Sequence, residues 1–256
     1  MNKTILDLEV KHREELNANY VLLVTTHKSK LPPMLPGQFA QLRVDNEPKV
    51  MLRRPISINY VDYDKNEVWF LIQKVGKGTE KLAEVKVGGT INTLFPLGST
   101  FTIPQDTSES LLLVGGGVGV APLLFLGAVL KKQGFKPAFL LGARTDKDLL
   151  QINDFKKFGR VFTTTEDGSE GEKGFVTHHS VFKEETFDKV YTCGPRPMME
   201  AVATLAKEKG FDCEVSLENM MACGIGACLC CVEETTKGNV CTCTEGPVFN
   251  TKELLW

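Results

Sequence analysis

The run Leu111-Leu112-Leu113-Val114-Gly115-Gly116-Gly117-Val118-Gly119-Val120-Ala121-Pro122 joins an apolar block to a glycine-rich turn and then to a proline. Consecutive apolar residues without polar alternation read as a strand buried on both faces. The glycines permit a tight turn, and Pro122 suits the first turn of a helix, where its missing N–H costs nothing. That helix is expected to end near Lys131-Lys132. Leu111 to Leu130 carries no charge over twenty positions, the length of a membrane span. Yet Pro122 and five glycines, three of them consecutive, fall inside it, which a spanning helix accommodates poorly. A strand, a turn and a packed helix account for the segment better.

The glycine spacing is G-x-G-x-x-P rather than the Rossmann G-x-G-x-x-G, with Val120 or Pro122 in the place of the third glycine. Open glycines at a helix N-terminus, Gly117 and Gly119, suit a dinucleotide phosphate. The plain alternative is a tight strand-to-helix turn with no ligand. Downstream, Pro137-Ala138-Phe139-Leu140-Leu141-Gly142 and Lys189-Val190-Tyr191-Thr192-Cys193-Gly194 read as further buried strands. Strands alternating with helices predict a parallel α/β sheet. Cys193-Gly194-Pro195 closes one strand and opens a helix, and Gly142-Ala143-Arg144-Thr145 ends another with a positive charge. Arg144 does not decide between NAD and NADP.

Upstream the texture is different. Tyr20–Thr25, Phe39–Val44 and Val68–Gln73 are short, β-branched or aromatic, and separated by turn residues such as Pro36-Gly37, Gly88-Gly89 and Pro96-Leu97-Gly98. This predicts a small antiparallel β-barrel. At the end of one strand, Arg54-Pro55-Ile56-Ser57 offers a guanidinium for a phosphate, a rigid backbone and a hydroxyl donor. Gly76-Lys77-Gly78-Thr79 reads as a turn whose amides cradle a pyrophosphate. Taken singly, each is also what an ordinary strand end and an unrelated turn look like.

The C-terminal region is set by its cysteines. Of eight, Cys193 and Cys213 stand apart and six fall between Cys223 and Cys243. Cys223-Gly224-Ile225-Gly226-Ala227-Cys228-Leu229-Cys230-Cys231 has the spacing C-x4-C-x2-C, the plant-type [2Fe–2S] pattern, with Gly224 and Gly226 free to turn N–H groups toward sulfur. The bland readings are structural zinc or buried thiols. Spacing selects Cys231 over Cys230 but leaves Cys241 and Cys243 as alternatives for the fourth ligand, expected on one face of a strand.

The expected division is a barrel over 1–103, an α/β domain over 104–215 with the polar stretch Pro104–Ser110 as linker, and a cysteine-rich domain over 216–256. At 256 residues, with 42% hydrophobic and 24% charged, the chain is ordinary globular material. A net charge of −2 and the absence of a basic block give no reason to expect nucleic acid or an anionic membrane as partner. The N-terminus lacks the apolar core of a signal peptide, so a cytoplasmic location is expected. His12, His27, His178 and His179 read as surface residues.

In order, R-P-I-S, G-x-G-T, G-G-G-x-G-x-x-P, C-G-P and C-x4-C-x2-C resemble the ferredoxin-reductase superfamily. Within it the whole chain resembles the electron-transfer subunits of dihydroorotate dehydrogenase B, notably in Glu218–Cys228 and in Cys243-Thr244-Glu245-Gly246-Pro247. The resemblance implies FAD contacts at Arg54, Pro55, Ile56, Ser57, Leu71, Ile72, Gln73, Gly78 and Thr79. It implies a nicotinamide site at Gly117, Gly119, Cys193 and Gly194, and cluster ligands Cys223, Cys228, Cys231 and Cys243. The extra Cys230 and Cys241 depart from the pattern. The function implied is a relay in pyrimidine (UMP) biosynthesis. A separate FMN-containing catalytic subunit oxidises dihydroorotate, and electrons pass through the [2Fe–2S] cluster and FAD to NAD⁺, in a heterotetramer of two copies of each subunit. No side chain of this chain is implied as acid or base. The alternatives are a related reductase subunit of a sulfide dehydrogenase, hydrogenase or ferredoxin:NADP oxidoreductase, or a zinc-stabilised module.

Overall fold

The computed structural model describes residues 3–45 and 47–256; Met1 and Asn2, part of the signal-peptide reading, lie outside the described residues. The first part is an antiparallel sheet of β1 (Thr4–Glu15), β2 (Tyr20–Thr26), β3 (Phe39–Leu42), β4 (Arg54–Ser57), β5 (Tyr60–Asp62), β6 (Glu67–Gln73) and, after the short helix α1 (Lys77–Ala83), β7 (Thr90–Leu97). Its order, β4-β3-β7-β1-β2-β6-β5, makes a half-barrel. Inward residues such as Leu8, Val10, Leu23, Ala40, Leu42, Phe70 and Ile72 fill its core. The Gly76–Thr79 segment, expected as a turn whose amides cradle a pyrophosphate, opens α1 with Gly76 at its N-cap.

The second part is the parallel sheet anticipated from Leu111–Pro122. It comprises β8 (Leu111–Gly116), α2 (Ala121–Lys132), β9 (Ala138–Ala143), α3 (Ile152–Lys156), β10 (Arg160–Thr165), β11 (Glu172–Lys173), α4 (Val181–Glu184), β12 (Lys189–Cys193), α5 (Arg196–Lys209) and β13 (Asp212–Ser216). α2 ends at Lys132, where the basic pair was expected to stop it. α5 ends on Gly210 in the left-handed conformation, φ 76°, the usual glycine terminator. β8 has β9 on one side and β12 on the other. The chain therefore reverses winding direction at β8, and a crevice opens at the carboxyl ends of its strands. No helix of the described residues is long and apolar enough to cross a membrane.

The two parts share a core: Tyr20, Leu71 and Phe101 pack with Leu111, Leu124 and Tyr191. Asn59 Nδ2 donates to the Ala121 carbonyl (3.1 Å) and to Gln151 Oε1 (3.0 Å), tying β4–β5 to the start of α2.

The C-terminal segment contains the hairpin β14 (Val232–Thr235) and β15 (Gly238–Cys241), then β16 (Val248–Asn250). β16 pairs antiparallel with β13, Val215 facing Phe249, so the tail becomes the edge strand of the parallel sheet. Asp212 fastens it, accepting from Asn250 Nδ2 (3.0 Å) and Lys252 Nζ (3.0 Å) beside the buried Lys189 (3.2 Å). Burial opposes ionisation of Asp212, but these donors outweigh it and hold its pKa at about 2. The staple therefore holds at neutral pH and weakens as pH falls from about 4 toward 2. His179, expected at the surface, is instead buried; its Nδ1 accepts from the Val181 N–H, and burial lowers its pKa.

Candidate electron-transfer site

The carboxyl ends of β8, β9, β10 and β12 surround a cleft of about 670 Å³. Gly116 to Gly119, Gly194 and Pro195 line it together with Arg144, Asp148 and Glu166. The positive charge foreseen at Arg144 thus shares the cleft with two carboxylates that no motif marks. Gly119 and the Cys193-Gly194 turn are in intimate contact: a Cβ on Gly119 would lie 2.4 Å from Gly194 Cα and 2.5 Å from its nitrogen. The two glycine elements expected at the nicotinamide are therefore brought together, and only glycine lets them meet. Cys193 is fully buried, and burial drives its thiol well above its usual pKa. Gly194, not the Cys193 side chain, lines the cleft.

The barrel contributes to the same cleft. Tyr20 and Gln73, cross-strand partners on β2 and β6, both line it, and Gln73 Nε2 donates to the Tyr20 hydroxyl at 3.1 Å. Burial, reinforced by Asp148, raises the Tyr20 pKa, so the hydroxyl stays protonated with its own hydrogen free to donate. Tyr20 belongs to no motif, and nothing in the sequence marks it. Glu218 also faces the cleft, and crowding by protein raises its carboxyl pKa. It was legible only as part of the stretch leading into the cysteines.

The expected flavin residues assemble on the barrel. Arg54 packs directly on Gly78, where a Cβ would lie 2.3 Å from the guanidinium Nε. R-P-I-S and G-K-G-T, more than twenty residues apart, are thus brought into contact. Arg54 Nη1 donates only to the carbonyls of Leu52 and Arg53. Both partners are carbonyls and no carboxylate pairs with it among the described residues, which leaves the guanidinium with charge to offer an anion. Leu71 and Ile72 bury their side chains in the two cores, so only their backbone is available to a ligand. The Thr79 hydroxyl donates to the Gly76 carbonyl (3.1 Å) and accepts from the Val75 N–H (3.1 Å), fixing the turn before α1.

The cysteine loop leans on the outer face of β3 and β7. Cys231 and Cys243 are buried against Phe39 and Leu97. The loop aims N–H groups at sulfur: Ile225 (3.4 Å) and Ala227 (3.3 Å) toward Cys223, Gly226 (3.1 Å) toward Cys243, and Cys243 (3.4 Å) toward Cys231. Chiefly through the Ile225 N–H, the Cys223 pKa falls to about 6, favouring the thiolate that binds metal. Among the described residues no three His, Cys, Asp or Glu side chains converge on one ion. The thiols meet instead in two groups, Cys223 with Cys228, and Cys231 with Cys243 and with Cys241. Paired thiolates and inward N–H donors fit a binuclear [2Fe–2S] group, whose two irons share four cysteines.

Cys241 and Cys243 do not share a strand face: β15 ends at Cys241, and Cys243 sits in the turn that follows. Cys241 also approaches Cys231, but its thiol receives no backbone N–H among the described residues. Cys230 is exposed.

A half-barrel joined to a parallel nucleotide sheet, with a cysteine loop on the barrel's outer face, defines a ferredoxin-reductase-type electron-transfer protein. Residues 218–255 match the iron–sulfur cluster binding domain of dihydroorotate dehydrogenase B, and residues 113–204 the oxidoreductase NAD-binding domain. The chain is 42% identical over 223 residues to the dihydroorotate dehydrogenase B (NAD(+)) electron transfer subunit of Fusobacterium nucleatum, covering 84% of each. It is 39% identical to that of Lysinibacillus sphaericus, covering 91% of each. Among solved structures, an NADH-dependent reduced ferredoxin-NADP oxidoreductase superposes with TM-score 0.88 at 30% identity, covering 97% of this chain and 90% of that one. The ferredoxin reductase of carbazole 1,9a-dioxygenase, at 21% identity and TM-score 0.70 over 82% and 67% of the two chains, shares the fold. The chain belongs to the family of dihydroorotate dehydrogenase B (NAD(+)) electron transfer subunits.

Proposed function

We propose that this chain carries electrons between NAD and an FMN-containing catalytic subunit that oxidises dihydroorotate, in a heterotetramer with two copies of each subunit, in the cytoplasm. One observation carries the reading: the barrel touches both working surfaces. Tyr20 and Gln73 open onto the nicotinamide cleft, while Phe39 and Leu97 press on Cys231 and Cys243. FAD bound on the barrel supplies the chemistry that matches a nicotinamide's electron pair to the single electrons a [2Fe–2S] centre carries.

The chain's own residues hold these groups. Arg54, with Pro55, Ile56 and Ser57 on β4, and Gly78 with Thr79 anchor the flavin nucleotide, and Leu71 to Gln73 support its ring end. Gly117, Gly119 and Gly194, over Cys193, receive the nicotinamide nucleotide. Cys223, Cys228, Cys231 and Cys243 hold the cluster. The working division remains 1–103, 104–215 and 216–256.

The partner would meet the cysteine side. Met220 (84% exposed), Ile225 (45%) and Leu229 (66%) lie together in that segment, apolar surface of the kind an interface covers. Coexpression with the catalytic subunit, followed by mass measurement and assay of dihydroorotate-driven NAD⁺ reduction, tests the reading. A two-plus-two complex active with dihydroorotate is expected. A chain that passes NADH electrons to ferredoxin and never captures that subunit would instead favour the sibling reductase.

A further inference from the structure

We propose that Gln41 reaches out of the barrel and donates an amide hydrogen bond to a sulfur of the [2Fe–2S] centre, tuning its reduction potential. The proposal rests on the cluster reading above. Along β3, Ala40 and Leu42 point into the barrel core, so Phe39 and Gln41 share the opposite face. Phe39 packs on Cys231 and Cys243, which fixes that face as the one the cysteine segment covers. Gln41 therefore sits in the same contact, fully buried.

Its amide is left without a partner: neither Nε2 nor Oε1 of Gln41 makes a hydrogen bond among the described residues. A buried amide costs about 1–3 kcal/mol when unsatisfied, so natural proteins seldom keep one without a ligand or ion to meet it. The neighbour across the contact is Gly224, next to Cys223. A Cβ there would lie 2.7 Å from Gln41 Cγ and 2.8 Å from Nε2, and the Gly224 φ of 70° suits glycine. Gly224 thus lets the ligand loop settle onto the amide of Gln41. The loop's own N–H groups already point at Cys223 and Cys243, and Gln41 adds a donor from the barrel side of the contact.

Gln41 is also the ladder partner of Pro55, so the residue that faces the cluster loop is paired through its backbone with the R-P-I-S strand. An N–H donor to cluster sulfur stabilises the more negative reduced state and raises the potential. Methionine has similar length and no donor, so Gln41→Met removes the bond while filling the space.

The test is an EPR-monitored redox titration of the holoprotein and the Q41M variant, with iron and acid-labile sulfide assayed in both. The expected result is wild-type iron and sulfide in Q41M with the one-electron reduction equilibrium weakened about tenfold, a downward shift of about 59 mV. The reduced EPR line shape should change, while the flavin potential stays in place. An unchanged potential and line shape in a fully loaded variant would overturn the proposal. Should Q41M fail to load, ENDOR of the reduced wild-type protein with ¹⁵N-labelled glutamine amides decides. A nitrogen coupling lost on unlabelled protein supports the contact, and no coupling overturns it. A wild-type chain without iron and sulfide would defeat the cluster reading itself.

Discussion

Replacing Cys243 with serine is expected to strip the cluster while leaving FAD in place. Cys243 is buried beside Cys231 against Phe39 and Leu97, and its sulfur accepts the Gly226 N–H at 3.1 Å. Burial pushes its thiol up to about 12, so in this pocket only a metal makes it a thiolate at neutral pH. Changing residues that merely support a ligand costs about 10–100-fold in metal affinity, so losing the ligand itself should cut bound iron and sulfide at least about tenfold. Cys241, partly exposed at the end of β15, packs against the same buried group, but its sulfur accepts no backbone N–H among the described residues, and Cys241→Ser should keep its iron. The check is iron, acid-labile sulfide and visible absorption of both purified variants. The reverse pattern would move the fourth ligand to Cys241.

The second large effect is expected from a single methyl group. Gly119→Ala places a Cβ 2.4 Å from Gly194 Cα and 2.5 Å from its nitrogen, and backbone has no rotamer to yield. The glycine turn and the Cys193-Gly194-Pro195 turn must separate, which displaces the nicotinamide lining relative to the flavin. A displacement of about 1 Å can cost 10²-fold in rate, so flavin reduction by NADH should slow by roughly that factor. The stability cost of such overpacking is about 1–3 kcal/mol, and the variant should still fold with FAD and cluster. Stopped-flow absorbance under anaerobic NADH reads the rate. A wild-type rate in a folded, FAD-loaded G119A would show that this lining does not position the nicotinamide.

The features legible in the sequence share one physical property: their signals are local. Leu111–Pro122 announced a buried strand, a turn and a helix because apolar continuity, glycine and proline act within a few residues, and β8 and α2 follow. C-x4-C-x2-C was readable because one loop must wrap its sulfurs closely. Features that depend on distant partners were not readable. Phe39-Ala40-Gln41-Leu42 is a strand by pattern, but all four residues are buried because a segment nearly two hundred positions later covers the outer face. Nothing near Val248 says that it will pair with β13. His179 looked like a polar surface residue and is enclosed by Phe162 and Glu172. Tyr20 enters the cleft only because the β2–β6 register sets it beside Gln73.

Electron transfer by this chain requires a nicotinamide cleft, a flavin barrel and an iron–sulfur loop joined in one protein. The most direct measurement is an anaerobic titration of the purified chain with NADH, followed by visible absorption and EPR, with iron, sulfide and flavin quantified. Two irons and two sulfides per FAD, bleaching of the flavin by NADH, and a reduced-cluster EPR signal are expected. A colourless chain that holds zinc and does not respond to NADH would contradict it.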